Sequence, residues 1–350
     1  MALPEQSGGS PGPTVADVGE DALVQEVVQR LSATGTPGRG SSRVVVGPGD
    51  DAAVVRLDGP LVTSTDTLVQ DVDFRLDWSS GYDVGRKAAV QVLADVEAMG
   101  AVPVGIVMAL VVPGPTPLAW CLDLADGLAR EARLAGASVL GGDVADGGAL
   151  VITGTSYGEL VGGRPAVRRD GARPGDVVAL GPAGATLGSS ATGLAALLAG
   201  AAAGPGAVGA GSDAVARAMA VHRAPQVDHT AGARARDAGA TALIDISDGL
   251  VRDGTRVARA SGVVLALDLA ALAPSRDLVE VAGLLGEDPQ AWVLTSGEEH
   301  AMLVALPADA VLPGGFVPVG RVEPSQDGWN GVTVDGVRRT DAGGWVHYPR

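Results

Sequence analysis

Five segments of the 350-residue chain place acidic side chains at the ends of apolar runs. Gly47-Pro48-Gly49-Asp50-Asp51-Ala52-Ala53 sets two carboxylates in a tight turn ahead of a β-type run. Ser64-Thr65-Asp66-Thr67 ends another run with hydroxyls flanking a carboxylate. Asp95 interrupts the apolar helical pattern of Val92, Leu93 and Val96. Gly141-Gly142-Asp143 follows Val139–Leu140, and Asp245-Ile246-Ser247-Asp248-Gly249 closes one run and opens the next. Carboxylates and hydroxyls are hard oxygen donors, suited to Mg²⁺ rather than to zinc or copper. Ordinary structure competes for several of these residues. Gly-Asp and Asp-Gly pairs make turns, Asp248 stands where a helix N-cap would, and Ser64 and Thr65 fit the end of a strand. Asp95 fits none of these, because an unpaired carboxylate on an apolar helix face is costly. A metal site assembled from distant acidic residues is therefore expected.

If that site handles phosphate, its positive charge has to come from metal. No Gly-x-x-x-x-Gly-Lys-Ser/Thr loop occurs, and the one lysine, Lys87, lies inside an apolar helical pattern. The protein-kinase set of Gly-rich loop, His-Arg-Asp and Asp-Phe-Gly is missing as well. Only four histidines are present, His222, His229, His300 and His347, and none sits in a triad-like motif. His222, His229 and His347 read as structural or surface residues.

The elements that must position these groups alternate between the two periods. A helix is expected around Leu23–Leu31, a Gly/Ser-rich connector over 32–42, and short strands at 44–46, 52–57 and 61–65. Tyr82–Met99 reads as a helix closed by Gly100, followed by a strand at 104–112, a helix at 118–134 and a strand at 149–157. A second series begins after the charged segment Arg169–Asp176. It comprises strands at 177–180, 242–246, 263–267, 292–294 and 302–305, with helices at 186–198, at 227–238 and after Asp248. The fold class is α/β or α+β. Length alone calls for two domains, expected at 17–165 and 166–350 behind a disordered tail of residues 1–16.

Composition narrows the partners. A net charge of −16 argues against a nucleic-acid binder, which needs clustered Arg and Lys. The start of the chain has neither the basic nor the apolar segment of a signal peptide. The apolar stretch 191–211 is broken by glycines and Pro205, so no membrane span is expected. Cys121 is the single cysteine and falls in the apolar helix at 118–134, so it reads as a buried thiol in a cytoplasmic protein.

At the acidic segments the sequence resembles the thiamine-monophosphate kinase family. That family belongs to the ATP-using superfamily typified by aminoimidazole ribonucleotide synthetase. The likeness runs from Gly19-Glu20 to Gly344-Trp345, and its markers come in family order. They are Gly49–Ala53, Ser64–Val69, Ala94-Asp95 with Ala98-Met99-Gly100, Gly141–Asp143, Arg169 through Asp176, Asp245–Leu250 and Ser296-Gly297-Glu298. The resemblance implies a PurM-like fold of two α/β domains and a homodimer paired through its N-terminal sheets. It also implies ATP in a cleft between the domains. By position it makes Asp51, Ser64, Thr65, Asp66, Asp95, Asp143, Asp245 and Asp248 magnesium ligands, with Asp66 and Asp143 central to catalysis. Gly142, Asp143, Arg169 and Ser247 would meet ATP, and Asp73, Glu298 and Trp345 would line the thiamine-phosphate pocket. The implied reaction is direct, in-line transfer of the γ-phosphoryl group of ATP to thiamine monophosphate.

Three places depart from the family pattern. Asp73 stands where many relatives carry His, Glu299 and His300 stand where an Asp and an aromatic are common, and an extra residue falls near Arg168-Arg169. Competing members of the superfamily fit less well. The chain ends in His347-Tyr348-Pro349-Arg350, without the reactive Cys tail of a hydrogenase-maturation dehydratase, and no N-terminal Cys serves selenophosphate synthesis. A magnesium-nucleotide-binding paralogue without catalysis is the alternative of another class.

Overall fold

The structure, a computed structural model, describes residues 12–33, 43–182, 187–200 and 212–340. Contacts divide the chain into two units. One comprises the residues up to Val96 with Val102–Gly163, and the other Glu97–Ala101 with the residues from Arg164 onward.

The first unit begins with order where a tail through residue 16 was expected. Thr14 and Asp17 form a reciprocal capping box that starts α1 (Val15–Val18), so the chain is structured from that point. The first eleven residues of the expected tail lie outside the described residues, as do 34–42 of the expected connector. Then follow α2 (Glu20–Ala33), the short pair β1 (Val44–Val46) and β2 (Val54–Val55), β3 (Leu61–Val69), α3 (Gly81–Glu97), β4 (Val102–Val112), α4 (Leu118–Leu134), β5 (Ser138–Asp146) and β6 (Val151–Glu159). Strands β3, β6, β4 and β5 form one mixed sheet in that order, with only the β4–β5 pair parallel. Helices α3 and α4 approach so closely that a Cβ on Gly85 would lie 2.1 Å from the Leu124 carbonyl oxygen, and one on Gly127 would lie 2.1 Å from that of Tyr82. Leu68, Ile106, Met108, Leu110 and Ile152 on the sheet meet Val92, Leu93 and Leu124 on the helices in one core. Cys121 is buried on α4, where burial pushes its thiol up to about 12.

The second unit is built from β7 (Val177–Gly181), α5 (Ser189–Leu198), α6 (Asp213–Arg223), α7 (Ala231–Asp237), β8 (Ala242–Ile246), α8 (Leu250–Ser261), β9 (Val263–Leu267), a 3₁₀ turn at Leu269–Leu272, α9 (Arg276–Leu285), α10 (Pro289–Thr295), β10 (Ala301–Leu306), β11 (Val317–Pro324), β12 (Gly331–Val334) and β13 (Val337–Arg339). Among the described residues its seven strands run in the order β13-β12-β9-β11-β7-β10-β8, antiparallel except where β12 meets β9. The 292–294 run expected as a strand is part of α10. Asp288 accepts from Gln290 N at its N-cap and Pro289 fixes the first turn, signals that a three-residue apolar run does not carry.

Candidate active site

In the first unit, β3 divides its own motif between two faces. Side chains alternate along a strand, so Ser64 and Asp66 share the face of buried Leu68, while Thr65 and Thr67 take the other. The Ser64 hydroxyl donates to Asp95 Oδ2 at 2.5 Å, which gives the helical carboxylate the partner its apolar surroundings demand. Ser64, Asp66 and Asp95 thus lie on the sheet face covered by α3. The Thr65 hydroxyl instead donates to the Gly154 carbonyl at 2.9 Å on the opposite face.

Asp143 lies elsewhere in this sheet. The register aligns Asp66 with Gly154, Met108 and Gly142, one row from Thr67, Thr153, Ala109 and Asp143. Asp143 is therefore three strand spacings from β3, about 14 Å across a flat sheet. It shares a row with exposed Ala109 and so lies on the face away from buried Met108. Gly142 is required where it stands, because a Cβ there would lie 2.0 Å from the Met108 carbonyl oxygen. Asp51 is exposed in its turn, its N–H donating to Asp50 Oδ1 at 2.8 Å. Asp73 accepts from Val69 N at 2.8 Å and closes the turn after β3.

In the second unit two distant motifs converge. Glu298 N donates to the Ser247 carbonyl at 2.9 Å and His300 N to that of Ile246 at 3.1 Å. Gly297 makes the join possible, since a Cβ there would sit 1.9 Å from the Ser247 carbonyl oxygen. Glu298 and His300 adopt positive φ angles of 70° and 50°, so the backbone bends sharply on both sides of Glu299. Asp245 is buried on β8 with its Oδ2 3.0 Å from His300 Nδ1. Asp248 forms ion pairs with Arg256 and, at 3.6 Å, with Arg252. It is not the N-cap of α8, a position that Gly249 takes without a side-chain bond. Asp253, in the first turn of α8, reaches back to the loop, where its Oδ2 accepts from the backbone N–H groups of Ser247, Asp248 and Gly249 at 3.0, 2.9 and 3.1 Å. Burial pushes the Asp253 carboxyl up to about 6, against the lowering effect of those bonds and of Arg256.

Around the motif end, Ser190 donates its hydroxyl to Glu298 Oε2 at 2.9 Å and lies 3.0 Å from His222 Nδ1. Neighbouring Glu299 is buried and accepts from Ser190 N and Ser296 Oγ, both at 2.8 Å, and burial pushes its carboxyl up to about 7. His229 is a buried partner of Glu97 at 2.7 Å. Arg169 is exposed, with its carbonyl accepting from Ser261 Oγ at 2.8 Å, and Arg168 pairs with Asp170. Trp345 and His347 lie outside the described residues.

The donor types suit magnesium, but among the described residues no three His, Cys, Asp or Glu side chains stand close enough together to hold a metal ion. Ser64, Asp66 and Asp95 fit a hard cation by chemistry and shared face. Asp248 is already engaged by arginine. The residues that sequence reasoning passed over are Asp253, Arg256, Ser190 and His222. Asp253 carried the same signal as Asp95, a carboxylate between Leu250, Val251 and Val257 on an apolar helix face.

Residues 49–160, the stretch that carries Asp51, Asp66, Asp95 and Asp143, match the family described as AIR synthase related protein, N-terminal domain. This sets the chain in the class of proteins built on that domain. Over 350 residues, 99% of this chain and 97% of the relative, it is 40% identical to the thiamine-monophosphate kinase of Mycobacterium tuberculosis H37Rv. The crystal structure of thiamine-monophosphate kinase from Stenotrophomonas maltophilia superposes with a TM-score of 0.75 at 28% identity, covering 89% of this chain and 96% of that one. AaThiL complexed with AMPPCP and TMP superposes with a TM-score of 0.73 at 26% identity, covering 95% and 97%. The chain belongs to the thiamine-monophosphate kinase family.

Proposed function

We infer that this chain transfers the γ-phosphoryl group of ATP to thiamine monophosphate and releases thiamine diphosphate and ADP. The observation that carries the reading is full-length identity of 40% to a thiamine-monophosphate kinase. It is joined by the likeness to a solved relative holding AMPPCP and TMP. The acceptor is a phosphate, already ionised near neutral pH, so no general base is required. The obstacle is charge: two unit charges 4 Å apart repel by about 4 kcal/mol at an effective dielectric of 20. Ser64, Asp66 and Asp95 would hold magnesium on their shared face, Asp51, Asp143 and Asp245 are the other proposed ligands, and the metal would supply positive charge to offset that repulsion.

The chain's own residues supply placement. Ser64 holds the Asp95 carboxylate toward the β3 face that Asp66 shares. His300 holds Asp245, and Asp253 commits all three N–H groups of Ser247–Gly249. Ser247 therefore meets the nucleotide through its hydroxyl rather than its amide. Gly142 and Arg169 complete the proposed nucleotide contacts. Asp73, Glu298 and Trp345 are the proposed thiamine-phosphate contacts, with Glu298 held at one oxygen by Ser190. The protein acts in the cytoplasm, and no described helix is long and apolar enough to cross a membrane. A homodimer is part of the reading. The face of the four-stranded sheet carrying exposed Thr63, Thr65, Thr67 and Ala109 supports it. Light scattering at micromolar protein tests it, with two copies as the expected result and one copy as the result that would overturn it.

Purified protein with ATP, Mg²⁺ and a panel of phosphate acceptors tests the assignment. ADP should form fastest with thiamine monophosphate. Release of ADP with another acceptor and not with this one would replace the reading by a different enzyme of the superfamily. ATP binding without any product would make the chain a nucleotide-binding paralogue.

A further inference from the structure

The loop between β8 and α8 carries Ser247 and Asp248, yet neither side chain determines its own direction. The backbone beneath them is set by Asp253, a residue outside the family motif and fully buried on α8. One oxygen of its carboxylate takes three consecutive backbone N–H groups, those of Ser247, Asp248 and Gly249. The other oxygen takes Arg256 Nη1, and the second nitrogen of that guanidinium reaches Asp248 Oδ2. Arg256 therefore joins the carboxylate that shapes the loop to the carboxylate the loop presents. Opposite, the Gly297 backbone closes on the Ser247 carbonyl, and Gly249 at φ +127° faces Thr295 O, so the loop is pinned from both sides.

Three N–H donors converging on one point form a ready anion site, of the kind that elsewhere holds a phosphate at a helix start. Here an internal carboxylate fills it. The amides cannot serve the nucleotide without displacing Asp253, and their job is fixed as the frame for the Ser247 hydroxyl and the Asp248 carboxylate.

We propose that Asp253 is a positioning residue for phosphoryl transfer, acting through Ser247 and Asp248 and itself held in orientation by Arg256. This rests on the reading that the 245–249 loop serves the nucleotide. Removing the Asp253 charge leaves the loop a choice of paths, and a displacement of about 1 Å at a reacting group is enough to lower turnover a hundredfold.

The decisive comparison uses the full chain with single and double variants. In Asp253→Asn the carbonyl oxygen can still take the three amides, but the side-chain NH₂ then faces the Arg256 guanidinium, donor against donor. Arg256→Gln restores an acceptor at that point. Asp253→Asn is expected to raise KM for ATP at least tenfold and to lower kcat, with KM for thiamine monophosphate changed less than twofold. The double variant Asp253→Asn/Arg256→Gln is expected to regain at least half of the loss on a logarithmic scale. A purely structural role predicts a lower melting temperature with unchanged KM and kcat in the folded protein, and that pattern overturns the proposal. So does a double variant no better than Asp253→Asn alone.

Should Asp253→Asn fail to fold, Arg256→Gln, at a half-exposed site, carries the test. It must raise KM for ATP about threefold or more without moving KM for thiamine monophosphate, and no change overturns the proposal. Wild-type turnover separates the two readings. If the wild-type chain makes no thiamine diphosphate, the functional reading fails. The dissociation constant of a non-hydrolysable ATP analogue then replaces KM, and the same tenfold loss and recovery are required.

Discussion

Replacing Gly297 by Ala probes the join between the two motifs of the second unit with a single methyl group. The added Cβ would lie 1.9 Å from the Ser247 carbonyl oxygen, 2.5 Å from its carbon and 2.9 Å from Asp248 Cα. All three are backbone atoms, so no side chain can swing aside. Ordinary contact begins near 3.4 Å, and the loop must retreat by about 1.5 Å unless the Glu298 segment does. Either movement strains the Glu298 N–Ser247 O hydrogen bond, now 2.9 Å. Overpacking of this kind costs about 1–3 kcal/mol. The catalytic penalty should be larger than the stability loss suggests, because Ser247, Asp248 and Glu298 all shift with the backbone. A loss of kcat/KM of about 100-fold is expected, with a melting temperature lowered by several degrees. Steady-state kinetics with ATP and thiamine monophosphate, run well below the melting transition, read the first. Calorimetry reads the second. A Gly297→Ala enzyme with kcat/KM within threefold of wild type would refute the claim that this contact sets the site.

Three further expectations follow from individual residues. Asp66→Ala and Asp143→Ala should each lower turnover at saturating Mg²⁺ by at least about 100-fold while far-UV circular dichroism is unchanged, and near-normal activity in either removes that residue from the site. Burial raises the Glu299 carboxyl from 4.5 to about 7, so the folded state holds its proton more tightly than the unfolded chain does. The stability this gives is present below about pH 4.5 and is lost as pH rises through 7, by about 3 kcal/mol in all. Glu299→Gln should therefore gain on wild type between pH 5 and pH 7.5 in urea unfolding, and parallel curves would contradict it. Cys121, 1% exposed and with its thiol pushed up to about 12, should resist iodoacetamide in the native protein and react once it is unfolded, as mass spectrometry would show.

The elements with long, unbroken patterns were legible in the sequence. The apolar repeat of Leu118–Leu134 coincides with α4, and the strands at 242–246 and 263–267 coincide with β8 and β9. The run at 292–294 was not, because three apolar residues suit a strand or a buried helix turn equally, and Asp288-Pro289 decides the matter from outside the run. Asp95 was identified as anomalous from its apolar surroundings, and the structure supplies Ser64 as the partner such a group needs. Ser64, Thr65 and Asp66 are contiguous in sequence, but side chains alternate along a strand, which sends Thr65 to the opposite face. The row occupied by Asp143 depends on pairings between β3, β6, β4 and β5, which no local pattern encodes. The arginine partners of Asp248 are not legible from its own motif, because Arg252 and Arg256 lie four and eight residues on and only the helix brings them back to it.

Phosphoryl transfer to thiamine monophosphate forms a new bond between two phosphates. ³¹P NMR of the purified chain with ATP, Mg²⁺ and thiamine monophosphate follows that bond directly. The thiamine monophosphate resonance should give way to the coupled pair of a diphosphate as ADP appears in equal amount. Appearance of inorganic phosphate with thiamine monophosphate untouched would contradict it.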